Sequence, residues 1–268
     1  MRRIRFPDQR PPSPAVPSTR NGRSGVNLLG HTSHDTTAAL VPVFGHRLPR
    51  EATAAVLLLH GGRADALGPP PRLNLPGLRM RPFGAALLRD AFHDDVLVAH
   101  VRYRYRGWNG PNAHPVADVR RALDELRALT GPVPVVLVGH SMGGRAALRA
   151  AADPQVKGVV ALAPWCPSGE PTAHLHGRTV IALHDGADRV TGAADTWSYL
   201  THAQSAGARV LGIAMPRGGH SMIRDARRWH RITTEATRAV LGDSVLASGG
   251  SWTGSPRPAR DLPAAVSW

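Results

Sequence analysis

Val133-Pro-Val-Val-Leu-Val-Gly-His-Ser-Met-Gly-Gly-Arg-Ala-Ala-Leu148 decides how this chain folds. An apolar run of strand length leads into Gly139-His140-Ser141-Met142-Gly143-Gly144, and a helix-forming stretch follows over 143–152. The pattern G-x-S-x-G carries weight when it lies between a strand and a helix. Glycines two residues either side of the serine let neighbouring backbone approach, because they have no Cβ. The turn lifts the Ser141 hydroxyl above the strand end. The helix behind it aims unpaired N–H groups at the same spot.

Outward from this turn, strand and helix patterns alternate. Strands are expected at 54–59, 95–102, 133–138, 158–162, 179–183 and 210–214. Helices are expected at 82–91, 116–129, 143–152, 195–205 and 222–241, with an edge strand or hairpin at 36–44. The 116–129 helix rests on Val116, Val119, Leu123, Leu126 and Leu129 at helical spacing. Continuous apolar strands alternating with helices predict an α/β fold, a mostly parallel sheet covered on both faces. In such sheets function gathers in loops at the carboxyl ends of strands. Four such loops follow Leu59, Val138, Leu183 and Met215, and each holds a glycine and a residue able to do chemistry.

A serine hydroxyl needs a base to take its proton. Pro216-Arg-Gly-Gly-His-Ser221 follows the last strand, so His220 is the candidate base; His184 and His230 are the alternatives. A carboxylate must then hold the imidazole in the right tautomer. The loop His184-Asp-Gly-Ala-Asp-Arg-Val190 offers two. Asp188 is preferred because it leads into the next helix, with Asp185 as a loop brace. The chain order Ser141, Asp188, His220 separates this arrangement from other serine-triad folds. The oxyanion formed on attack needs donors already in place, which stabilise it by roughly 3–4 kcal/mol. The Met142 N–H supplies one. His60-Gly61-Gly62-Arg63 supplies the other, with Gly62 preferred over Arg63 and His60 read as a brace.

From about Thr36 to Gly242 the chain resembles the α/β-hydrolases, and is similar to the dienelactone hydrolase-like and small esterase branches. Gly139-His-Ser-Met-Gly-Gly144, followed by Gly158-Val-Val-Ala-Leu-Ala-Pro-Trp165, also resembles the cutinase-type polyester hydrolases. That resemblance implies that Met142 and Trp165 line the acyl site. Two departures matter. Ser141 stands where the dienelactone hydrolases proper carry cysteine, and Gly62 stands where the cutinase-type enzymes usually carry an aromatic residue. The resemblance implies a serine hydrolase, carboxylesterase-like, acting through an acyl-enzyme on an ester-type bond of a small acyl substrate. Thioesterase, amidase or peptidase, and perhydrolase chemistry fit the same residues. No cofactor or metal is implied. Between the expected strands at 158–162 and 179–183 the stretch from Trp165 to Arg178 is short, so no large lid domain is expected. The stretch Arg102-Tyr-Arg-Tyr-Arg-Gly-Trp-Asn-Gly110 reads either as a solvent-exposed strand end, which its Arg-Tyr alternation favours, or as a rim of the site with Trp108 and Arg106 as candidate substrate contacts.

Composition narrows the rest. Residues 1–25 read as a disordered Arg/Pro-rich leader, 26–246 as the α/β domain and 247–268 as a disordered tail. The basic start has no apolar segment behind it, so a secretory signal is not supported. With a single cysteine, Cys166, no internal disulfide can form. These features fit a cytoplasmic protein. The formal charge of +14 comes almost entirely from arginine, Lys157 being the one lysine, and the arginines are scattered. Scatter of this kind reads as solvated surface, so neither nucleic acid nor membrane is the expected partner. The rival class is a non-catalytic binder of the same fold that uses its charge on nucleic acid, with the Arg-Tyr alternation at 102–106 stacking on bases. The acyl group, the leaving group and the oligomeric state are not written in these patterns.

Overall fold

The computed structural model describes residues 38–43, 51–71, 73–90, 95–243 and 257–258, all within one compact unit. The strands are β1 (Leu40–Pro42), β2 (Ala54–Leu59), β3 (Val96–Val101), β4 (Val135–His140), β5 (Val156–Leu162), β6 (Thr179–Asp185), β7 (Arg209–Met215) and β8 (Arg257–Pro258). The helices are α1 (Leu75–Asp90), α2 (His114–Thr130), α3 (Met142–Ala150), α4 (Ala193–Ser205) and α5 (Ala226–Asp243). The sheet order is β1-β3-β2-β4-β5-β6-β7-β8. Only β1 runs antiparallel, pairing Leu40 with Val101. Every residue of β2, β4 and β6 is buried, as a parallel sheet covered on both faces requires. α1 packs with α5, and α2 packs with α3. This is the mostly parallel sheet, covered on both faces, expected from the alternation of elements.

The order of strands places the site. From β2 the chain steps outward to β3, then crosses back past β2 to β4. The carboxyl ends of β2 and β4, adjacent in register at Leu59 and Gly139, therefore border the crevice where the winding reverses. The loops beginning at His60 and Ser141 open into it. Between β5 and β6 lie residues 163–178 with one 3₁₀ turn at Ala173–Leu175, so no lid domain is inserted there.

Several boundaries differ from the sequence expectation. β4 continues through Gly139 and His140, because both still pair with β5 at Ala161 and Leu162. α1 begins at Leu75 and carries Pro82 in its interior. The Asn74 carbonyl accepts from Leu78 N–H (2.8 Å), and buried Met80, Phe83 and Leu87 anchor the helix despite the bond that proline cannot make. α5 begins at Ala226 instead of 222, since Met222 (φ 59°) and Asp225 (φ 61°) adopt left-handed backbone that a helix cannot contain. The leader at 1–25 lies outside the described residues. So does the tail, apart from Arg257–Pro258, which pairs with Ile213–Ala214 as an edge strand. Among the described residues no helix is long and apolar enough to cross a membrane.

Candidate active site

Ser141 sits at φ 55°, ψ −120°, between the last residue of β4 and the first of α3. A non-glycine residue rarely takes this conformation, and such strain is held only by its surroundings. Here the surroundings are specific. Ser141 N–H donates to the Leu162 carbonyl (3.0 Å), and its own carbonyl accepts from Trp165 N–H (3.1 Å) and Arg145 N–H (3.1 Å). Side chains at Gly139 or Gly143 would run into the backbone of Gly143 and of Leu59 respectively, which is why the tight turn needs glycine at both places.

The structure brings Ser141, His220 and Asp188 together. Ser141 Oγ lies 3.0 Å from His220 Nε2, and His220 Nδ1 lies 2.9 Å from Asp188 Oδ2. His220 is supplied by the loop after β7, where Gly218 (φ 142°) and Gly219 (φ 54°) turn the chain back over the sheet. Gly219 N–H donates to Asp185 Oδ2 (2.7 Å), and Ala187 N–H donates to Asp185 Oδ1 (2.9 Å). Asp185 therefore ties the histidine loop to the aspartate loop, the brace expected of it, while Asp188 faces His220. Burial pushes the Asp188 carboxyl up. The N–H of Val190 (2.8 Å) and the bond to His220 outweigh it, with Thr191 N–H (3.2 Å) adding to them, so its pKa lies below the ordinary carboxylate value. An ionised Asp188 accepts from His220 Nδ1–H, leaving Nε2 free to accept a proton from Ser141.

His140 underlies this arrangement. Its Nε2–H donates to the His220 carbonyl (2.8 Å), with the two rings 4.8 Å apart. Burial, then the neighbouring His220, pushes the His140 pKa down to about 3, so it stays neutral and adds no charge beside the base. His230, the other alternative base, lies in α5 with its ring 4.5 Å from Phe83, away from Ser141. His184, the first alternative, lies on the far side of Asp188, with Nε2 3.2 Å from Asp188 Oδ2.

The loop after β2 meets α3 at Gly62, which packs on the Met142 side chain. Arg63 N–H is already engaged with the Arg106 carbonyl (3.1 Å), so Arg63 cannot serve as an oxyanion donor. Met142 N–H heads α3, where the first N–H groups of a helix have no partner inside it. His60 braces the loop. Its Nδ1–H donates to the Gly61 carbonyl (2.7 Å), Asn74 Nδ2 lies 3.2 Å from its Nε2, and its ring packs 4.5 Å from Tyr103.

The expected substrate contacts differ from one another. Trp165 is half-buried, three residues past the end of β5. The Met142 side chain is 1% exposed, and Trp108 is 3% exposed. Trp108 thus departs from the expected rim contact. The Arg145 guanidinium covers its ring at 3.9 Å and lies 4.3 Å from the ring of Trp165. Glu170 in turn binds Arg145 and Arg149. Trp108 is therefore a wall behind Arg145 and Trp165, since the Arg63–Gly107 bridge holds its segment against the loop after β2.

Thr191 escaped sequence reasoning. Its Oγ1 lies 3.0 Å from Asp188 Oδ2, 3.2 Å from the Ala163 carbonyl and 3.2 Å from His220 Nδ1. A hydroxyl three residues after a turn aspartate was the one signal that pointed to it.

The family model described as alpha/beta hydrolase fold matches residues 54–222. No curated protein sequence matches the chain. Among solved structures, the chain is similar to MGS-M1, an alpha/beta hydrolase enzyme from a Medee basin deep-sea metagenome library (14% identity, 76% of this chain and 97% of that one, TM-score 0.57). It is similar to Est1E from Butyrivibrio proteoclasticus with ferulic acid bound (12% identity, 78% and 99%, TM-score 0.52). It is also similar to the esterase domain of a Rhodothermus marinus protein (16% identity, 75% and 89%, TM-score 0.50).

Proposed function

The chain belongs to the α/β-hydrolase fold family, and on that footing we propose that it is a serine hydrolase cleaving an ester-type bond of a small acyl substrate. The observation that carries this reading is the continuous line from Ser141 Oγ through His220 to Asp188, with bonds of 3.0 and 2.9 Å. These distances fall within the reach that nucleophile, base and orienting carboxylate need.

The steps follow from the atoms. His220 Nε2 takes the Ser141 proton as Oγ attacks the ester carbonyl. Asp188 keeps its charge and stabilises the imidazolium. The oxyanion forms between the N–H groups of Met142 and Gly62. His220 then gives its proton to the leaving alcohol, and the acyl group stays on Ser141. Water enters, loses a proton to His220 and attacks the acyl carbon. The acid departs, and Ser141 recovers its proton from His220. Among the described residues, the short 163–178 segment inserts no lid over the site, which favours small or flexible acyl groups beside Trp165.

Initial rates on p-nitrophenyl acetate, butyrate and octanoate test the reading, with Ser141→Ala alongside. Turnover of the short esters is expected, with a loss of at least about 10³-fold in the variant. A variant that keeps wild-type rates removes Ser141 as nucleophile. A thioester or anilide preferred over the esters keeps the site and changes the substrate class.

A further inference from the structure

We propose that His184 is a positioning residue for this acyl-transfer site, holding as a neutral Nε2–H donor the same Asp188 oxygen that orients His220. The proposal rests on the serine-hydrolase reading above.

Asp188 Oδ2 has three donors around it: His220 Nδ1 at 2.9 Å, Thr191 Oγ1 at 3.0 Å and His184 Nε2 at 3.2 Å. Its other oxygen, Oδ1, accepts from the N–H of Val190 (2.8 Å) and Thr191 (3.2 Å). The carboxylate is therefore gripped on both oxygens. The His184 and Asp188 side chains are both 0% exposed, so water cannot replace a donor that is lost.

The tautomer of His184 follows from its neighbours. Nε2 faces Asp188 Oδ2 and the Thr191 carbonyl (3.2 Å), neither of which carries a proton to give, and the Thr191 hydroxyl at 3.4 Å has nearer acceptors in Asp188 Oδ2 (3.0 Å) and the Ala163 carbonyl (3.2 Å). Nε2 must therefore bear the hydrogen. Nδ1 faces Thr196 Oγ1 of α4 at 2.8 Å, and a hydroxyl can donate to it. Trp197, also from α4, lies edge-on to the ring at 6.1 Å. The titratable groups facing His184 are Asp188 and, beyond it, His220. Burial pushes the His184 pKa down, Asp188 pulls the other way, and the net direction is down. His184 thus gives Asp188 a hydrogen bond without a second positive charge. When the Ser141 proton moves to His220, the cation forms there alone, and His184 keeps its single proton throughout.

Removing the donor has a signed consequence. An Asp188 that loses one donor becomes more basic and draws more strongly on protonated His220. The acidic limb of the kcat/KM profile, which reports the free enzyme's base, then moves to higher pH. Asp188 also loses one fixed contact, so His220 is aimed less well and kcat falls while KM holds.

The test compares His184→Leu, which removes the donor, with His184→Gln, whose amide N–H can replace it. Both are assayed on p-nitrophenyl butyrate across pH, and their folding is followed by circular dichroism. His184→Leu is expected to lower kcat by about 10- to 100-fold with KM within about twofold, and to move the acidic limb up by about half a pH unit. His184→Gln is expected to restore most of both. A folded His184→Leu with wild-type kcat and an unmoved limb overturns the proposal, as does an equal loss in both variants with no movement of the limb. Imidazole NMR of the wild-type chain reads His184 independently of turnover. His184 resonances should show no protonation midpoint at the ordinary histidine value and should shift in Asp188→Asn. Titration of His184 near its ordinary value overturns the proposal even in an active enzyme. Absence of ester turnover alone counts against the serine-hydrolase reading and leaves the NMR result to decide His184.

Discussion

A Cβ placed on Gly62 would lie 2.5 Å from the Arg106 carbonyl oxygen and 2.6 Å from Met142 Sδ. The loop after β2 is thus closed onto α3 with no room for a side chain. Gly62→Ala must push this loop off Met142, and with it the N–H proposed to hold the oxyanion. A loss of about 10²- to 10³-fold in kcat is expected, the size typical for one oxyanion donor, with KM little changed and the circular dichroism spectrum intact. A variant with wild-type kcat would show that Gly62 N–H takes no part. At this scale the meeting of Ser141, Asp188 and His220 was readable, because each lies at a strand end marked by glycine or a turn. The contact of His184 with Asp188 was not readable. It depends on β6 continuing to Asp185, which carries the His184 ring under the turn at 188–191, and no local pattern encodes that register.

Among the elements, α3 and the residues after β5 are joined by charge. Glu170, 6% exposed, lies between Arg145, 12% exposed, and Arg149. Burial pushes the Arg145 pKa down, and Glu170 opposes it. Glu170→Ala would leave two guanidinium groups facing each other, one of them nearly buried. Losing one partner of such a group costs about 3 kcal/mol or more. Urea unfolding should show that loss, with a smaller one for Glu170→Gln, which keeps a hydrogen-bonding side chain. A loss below about 0.5 kcal/mol would mean that the cluster behaves as an exposed ion pair. The elements themselves were legible from apolar runs and periodicity, and their ends less so. The start of α5 was placed four residues early because 222–225 has helix-compatible residues. Only the left-handed backbone at Met222 and Asp225 excludes a helix there.

Across the whole molecule, buried and half-buried histidines couple stability to pH. His60, His100, His140, His184 and His230 all have lowered values, burial being the largest cause in each. In the unfolded chain they protonate near 6.5, the ordinary value for histidine. Below that pH the unfolded state takes up protons that the folded state does not, so stability falls on acidification. The fall continues toward the folded-state values, about 4 for His100 and about 3 for His140. His140 alone contributes about 2 kcal/mol of this loss by pH 5. The unfolding midpoint should therefore decline steadily from pH 7.5 to 5. A flat profile would mean that these imidazoles are protonated in the folded protein. The parallel architecture was legible at this scale because β2, β4 and β5 read as continuous apolar runs that only a doubly covered sheet can bury. The pairing of Arg257–Pro258 with β7 was not, since two residues in a Pro- and Gly-rich stretch carry no strand pattern.

The most direct measurement of the proposed chemistry is covalent labelling with a fluorophosphonate, read by intact-protein and peptide mass spectrometry. One adduct per chain, located on Ser141 and abolished in Ser141→Ala, is the predicted result. An unlabelled wild-type chain, or an adduct on another residue that persists in Ser141→Ala, would contradict the assignment of Ser141 as an activated nucleophile.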